Sequence, residues 1–231
     1  MRAALVLLLL TLAAGPARAA HIFLAEDGQG PVISLEGRID PGDAERFEQF
    51  MRGGGPRIAT LRLRSPGGRA AEAMRIGGLV RRYLLETEAP VDEDGIPSCR
   101  DQSQDCVCAS ACVFVWAAGI HRNRRALLEA HRPGQADGSE PPSPAESEDA
   151  LHQYFDALET PPALAAFVLA IPPDRIEPVP AGLVREASGF VPSIERVLAA
   201  GCPAPRQSAC EQRTLREMRR LALEKPGTTP E

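Results

Sequence analysis

Residues 57–65, Arg-Ile-Ala-Thr-Leu-Arg-Leu-Arg-Ser, alternate apolar and polar side chains and stop at the turn Ser65-Pro66-Gly67-Gly68. Residues 69–86 then have the composition of a helix. A period of two giving way to a helical pattern across a glycine turn is a strand feeding a helix. The same switch occurs upstream, where residues 31–39 alternate and residues 40–51 begin with turn formers before running into a helical pattern. Strand, helix, strand, glycine turn, helix is the order that builds a parallel sheet with right-handed crossovers. The expected fold class is therefore α/β, a parallel sheet with flanking helices.

Further along, residues 89–107 should hold a short strand and a polar excursion, and residues 109–119 a small-residue helix apolar enough to be buried. Residues 125–131 are strand-like and end on His131-Arg132-Pro133. Residues 134–149 are rich in Pro, Ser and Glu, cannot bury apolar surface, and are expected to form a mobile loop or lid. Helices are expected at 150–159 and 161–170, the second opened by prolines tolerated in a first turn. A last short helix falls between residues 171–179 and 189–191. The chain of 231 residues is long enough for one such domain with a real core. The division read from it is a signal peptide at 1–19, a domain at 20–192, and a tail at 193–231 with a charged helix.

The signal peptide rests on Arg2, the apolar run Ala3 to Ala14, and the small residues of Ala17-Arg18-Ala19. The run is shorter than the ~20 residues that span a bilayer, so cleavage leaving a chain that starts near Ala20 or His21 is expected, in a periplasmic or secreted location. With 26 Lys and Arg against 31 Asp and Glu, and no aromatic–basic stripe, a nucleic-acid partner is not expected. In an oxidising space the six cysteines default to disulfides, read as Cys202–Cys210, Cys99–Cys106 and Cys108–Cys112. Their CxC and CxxxC spacings lack the paired ligands of a zinc site, so no metal is expected. Neither a phosphate loop nor a dinucleotide fingerprint is present, and no cofactor is implied.

Chemistry points to Ser110, between small residues at the start of the apolar helix. A serine hydroxyl needs a base to take its proton and donors to hold the oxyanion. The Ala111 and Cys112 N–H groups lie at that helix start, and Gly67 and Gly68 let a backbone amide approach a carbonyl without a Cβ clash. His131 ends a strand, where parallel sheets carry their sites.

On "EGRI", "SPGG", "CASAC", "HRP" and the final "GFV", the chain from about Val32 to Val191 resembles the Clp protease proteolytic subunit and its signal-peptide-peptidase relatives, the ClpP/crotonase-like superfamily. The resemblance is nearest to its secreted branch. It implies a crotonase-like ββα-repeat fold with Ser110 as nucleophile, His131 as base, and Gly68 with Ala111 as oxyanion donors. The third member is open between Asp174, which the Asp-Arg pair favours, and Glu177, reached by counting back from Gly189. The acid-rich loop after His131 departs from the ring-stacking handle of the Clp subunit. The implied function is an exported serine hydrolase, a peptidase acting on a peptide or protein substrate, with no ATPase partner and a homo-oligomer plausible by analogy. The alternatives are a non-catalytic binding or scaffold protein of the cell envelope and, more thinly, acyl-thioester chemistry.

Overall fold

The structure is a computed structural model describing residues 19–27, 30–53, 58–93, 96–97, 106–134, 148–202, 204–205 and 207–224. In chain order the elements are β1 (His21–Asp27), β2 (Gly30–Glu36), α1 (Asp43–Arg52), β3 (Thr60–Arg64), α2 (Ala70–Arg82), β4 (Glu86–Glu88), β5 (Asp92–Glu93), β6 (Ile96–Pro97), β7 (Cys108–Ala109) and α3 (Cys112–Ala117). They continue with β8 (His121–Arg122), β9 (Leu128–Ala130), α4 (Glu148–Ala157), α5 (Pro162–Ala170), β10 (Glu177–Pro178), α6 (Ala181–Ala187), β11 (Gly189–Phe190), α7 (Pro192–Gly201) and α8 (Ser208–Glu224).

Among the described residues the main sheet runs β1-β2-β3-β4-β8-β11. Its centre, β2 to β8, is parallel, while the outer pairs β1–β2 and β8–β11 are antiparallel. The fold is thus mixed α/β rather than purely parallel. Ile33, Leu35, Leu61 and Leu63 point to one side and join Phe47 and Met51 of α1, Ile76 and Val80 of α2, and all of α3 in one core cluster. Alternation along the strands and spacing near 3.6 along the helices bring these side chains together. A smaller cluster of Ile120, Val191, Ile194, Leu198 and Leu215 seats α7 and α8 against the end of the sheet.

Three local differences from the sequence reading have physical causes. The strand β1, which the sequence reading did not include, pairs with β2 along its whole length from His21↔Glu36 to Asp27↔Gly30. The helix expected over 69–86 ends at Arg82, and residues 86–88 enter the sheet although Glu-Thr-Glu has no strand-like pattern. Burial of Thr87, whose hydroxyl donates to the Trp116 carbonyl at 2.8 Å, fixes that segment in place of local propensity. The helix expected over 109–119 shrinks to Cys112–Ala117 because Cys108 and Ala109 pair as a strand and Ser110 has φ 53°. The loop expected at 134–149 falls largely outside the described residues.

A buried polar network ties the later helices to the sheet. Arg122, 2 % exposed, donates to the carbonyls of Gly119 (3.3 Å), Ala187 (2.9 Å) and Leu158 (2.7 Å), and Arg81 also donates to Leu158. Burial first, and the neighbouring Arg81 second, pull the Arg122 guanidinium down to about 9, with Glu159 opposing. The Tyr154 hydroxyl donates to the Phe114 carbonyl at 2.8 Å. Burial holds this phenol well above its ordinary range, against the pull of Arg81 and Arg122.

Above about pH 10 the unfolded chain loses the Tyr154 proton that the folded chain keeps, so this residue makes stability fall as pH rises. Arg122 acts in the opposite sense, its contribution rising with pH above about 9, because there the unfolded chain holds the extra proton. Tyr154→Phe isolates the first effect. It should cost about 1 kcal/mol at neutral pH through the lost hydrogen bond, and that deficit should shrink above about pH 10. Urea unfolding of both proteins at the two pH values checks this.

Candidate active site

The main sheet hands over to a second, three-stranded sheet, β10-β9-β7, through Ser65, which bridges in parallel to Cys108. The Ser65 N–H donates to the Val107 carbonyl at 3.0 Å, and the Ala109 N–H donates to the Ser65 carbonyl at 2.9 Å. The strand β7 is in turn parallel to β9, with Cys108 opposite Leu128 and Ala109 opposite Glu129. The ends of β3, β7 and β9 therefore point the same way and lie side by side. The glycine turn follows the first, Ser110 the second and His131 the third. Parallel strands carry their sites at this edge.

Ser110 is half-buried and its N–H donates to the Glu129 carbonyl at 2.7 Å, so β9 holds its backbone. Its φ of 53° places a non-glycine residue in the left-handed region, a strain of about 1–2 kcal/mol that persists only where surroundings impose it. Two features impose it here. A disulfide joins Cys108 to Cys112 across the serine, with Cα atoms 5.2 Å apart. Gly67 packs on the other side: a Cβ on it would stand 2.6 Å from the Ser110 Cβ and 3.0 Å from the Ala111 nitrogen. Gly67, with φ 97°, thus lies against the serine itself.

Gly68 faces the other strand. The Ile39 N–H donates to the Gly67 carbonyl at 2.8 Å, and the Arg69 N–H donates to the Ile39 carbonyl at 2.9 Å. A side chain at Gly68 would run into the Ile39 backbone. Among the described residues neither the Gly68 nor the Ala111 N–H has a hydrogen-bond partner. The following helix, α3, has only six residues, so its dipole adds little beyond the single amides.

His131 is half-buried, and its Nδ1 lies 2.8 Å from the Arg132 carbonyl oxygen. Neither carboxylate considered for orienting it is buried. Asp174 is exposed in a turn, and Glu177 is exposed in β10, paired in register with Ala130. Neither makes a hydrogen bond or ion pair with the His131 ring among the described residues. The structure brings Gly67, Gly68, Ser110, Ala111 and His131 to one edge and leaves Asp174 and Glu177 in solvent.

A second disulfide joins Cys202 to Cys210. Cys106 is disulfide-bonded, and the expected Cys99–Cys106 pairing lies outside the described residues because Cys99 does. Among the described residues no cluster of His, Cys, Asp or Glu could hold a metal ion.

Sequence reasoning left two contributors without a role. The Ser65 hydroxyl, fully buried, accepts the Gly67 N–H at 3.1 Å and so shapes the turn; a hydroxyl two residues before a glycine is a signal for such a turn. The Glu129 carbonyl holds the serine backbone, and no sequence pattern announces a main-chain contact of that kind.

No protein-family model and no curated protein matches the chain. Solved structures do. A serine-to-alanine variant of the 1510-N membrane-bound stomatin-specific protease aligns at 16% identity and TM-score 0.43, covering 73% of this chain and 82% of that one. A lysine-to-alanine variant of the same protease in complex with a substrate peptide aligns at 16% identity and TM-score 0.45, covering 67% of this chain and 70% of that one. The likeness is one of fold. These findings correct two expectations. The chain is not placed in the secreted branch of the ClpP/crotonase-like superfamily, since the matching structures belong to a different protease. The periplasmic or secreted location is likewise withdrawn, both structures being described as membrane-bound. Residues 1–18 lie outside the described residues, and among the described ones no helix is long and apolar enough to cross a membrane.

Proposed function

We propose that this chain is a serine hydrolase that cleaves peptide bonds. Ser110 attacks the scissile carbonyl, His131 takes the hydroxyl proton and passes it to the leaving amine, and the Gly68 and Ala111 N–H groups receive the oxyanion. Water then hydrolyses the acyl-enzyme by the same route in reverse. No cofactor takes part in these steps.

One observation carries the reading: the glycine turn, the serine and the histidine end three adjacent parallel strands, and the serine is held there at positive φ. A residue that only packed would gain nothing from a backbone strain that glycine could relieve. The amides of Gly68 and Ala111, spare on the same edge, suit a developing negative charge. Donors of this kind are each worth roughly 10²–10³ in rate where they have been removed.

A fluorophosphonate probe should label the wild-type chain, and Ser110→Ala should lose that label entirely. Equal labelling of the two would remove Ser110 from the reaction. The exposure of both Asp174 and Glu177 favours a second reading, a binding module that keeps the cleft and hydrolyses nothing; a folded wild type that takes up no label would favour that reading instead.

A further inference from the structure

We propose that the His131 imidazole is oriented by a main-chain oxygen, the carbonyl of Arg132, so that the site works as a Ser110–His131 pair without a side-chain acid. The inference rests on the hydrolase reading and deepens it, by naming what stands in the third position.

A carbonyl oxygen only accepts, so the 2.8 Å contact from Nδ1 to the Arg132 oxygen requires the ring proton on Nδ1. In the neutral ring that leaves the lone pair on Nε2, the tautomer a general base needs. In a triad the acid has two tasks, fixing this tautomer and stabilising the imidazolium. A carbonyl performs the first fully and the second through its dipole. Losing the correct tautomer is the costlier failure, about 10⁴ in turnover where it has been imposed on a triad.

The oxygen is well held. The Arg132 N–H donates to the Ile171 carbonyl at 3.0 Å, which docks the segment on the chain before the Pro172-Pro173 turn. Gly134 presses on the same turn, since a Cβ there would stand 3.0 Å from the Pro173 side chain. Pro133 restricts the backbone of Arg132 to extended conformations and makes the Arg132–Pro133 amide tertiary, with no N–H to compete. Pro133 is therefore a positioning residue.

The proton accounting closes without an acid. The Oγ–H proton moves to Nε2 as oxygen attacks the carbonyl carbon. The imidazolium keeps its Nδ1–H on the Arg132 oxygen, which takes no proton, and Nε2–H goes to the leaving amine.

The test uses ring-¹⁵N-histidine protein and long-range ¹H–¹⁵N spectra, which report which ring nitrogen carries the proton, at about pH 8. Wild type, Asp174→Asn and Glu177→Gln should all show His131 protonated at Nδ1, with fluorophosphonate labelling rates within about threefold of one another. Pro133→Ala should shift His131 toward the Nε2–H form and slow labelling by about tenfold or more while the protein stays folded by circular dichroism. An Nε2–H tautomer in the wild type overturns the proposal, as does a loss of about 100-fold or more in either acid variant. If no Ser110-dependent labelling occurs, the hydrolase reading fails and the tautomer measurement alone decides whether the Arg132 oxygen anchors the ring.

Discussion

Replacing Gly67 with alanine should abolish probe labelling as completely as replacing Ser110. The new methyl would stand 2.6 Å from the Ser110 Cβ and 2.7 Å from the Ala109 carbonyl oxygen, closer than real Cβ contacts come. Neither neighbour is the free end of a flexible side chain. Ala109 is fixed by its pairing to Ser65, and Ser110 by the Glu129 carbonyl and the bridge between Cys108 and Cys112. The φ of 97° adds a backbone penalty that only glycine escapes. Overpacking and the disallowed φ each cost about 1–3 kcal/mol, so stability should fall as well, by about 2–6 kcal/mol. Gly78→Ala is the control. It lies exposed in α2 with nothing within 4 Å of the added carbon, and should leave labelling intact while raising stability by up to about 1 kcal/mol. Retained labelling in a folded Gly67→Ala protein would mean that the turn does not support the serine.

The second large effect is on folding. Arg122→Leu should lower the unfolding free energy by about 3 kcal/mol in urea titrations. The substitution strips donors from the Gly119 and Ala187 carbonyls, while Leu158 keeps Arg81. Each buried acceptor left alone costs about 1–3 kcal/mol. Removing a buried charge works the other way, as the depressed guanidinium shows, and reduces the loss without reversing it, because leucine also leaves part of the arginine volume empty. Against a total of about 5–15 kcal/mol for an ordinary domain, such a loss is large. A variant as stable as wild type would show that the Gly119 and Ala187 carbonyls find other donors.

The elements legible in the sequence are those whose pattern and environment agree. The helix α1 buries Ala44, Phe47 and Met51 at the spacing its sequence displays, and the 57–65 alternation becomes β3 with Leu61 and Leu63 inward. The elements that were not legible depend on partners far along the chain. Glu86-Thr-Glu88 is a strand only because β3 and β8 flank it, and Cys108-Ala109 is a strand only because Ser65 and β9 do. At the site, the order of glycine turn, serine and histidine could be read from one dimension. That Gly67 rather than Gly68 meets the serine could not be read, because both are glycines at positive φ and only the position of Ile39 separates them. The carboxylate was the least legible of all: Asp174 and Glu177 both have a plausible place in the sequence, yet both side chains are exposed.

Both cysteines that flank the serine, Cys108 and Cys112, are 0% exposed. A dissolved thiol therefore meets their bond only when α3 parts from the strands beneath it, an opening governed by local stability. Under native conditions the speed of reduction becomes a gauge of how often this part of the interior breathes, and it can be read without knowing what the protein acts on.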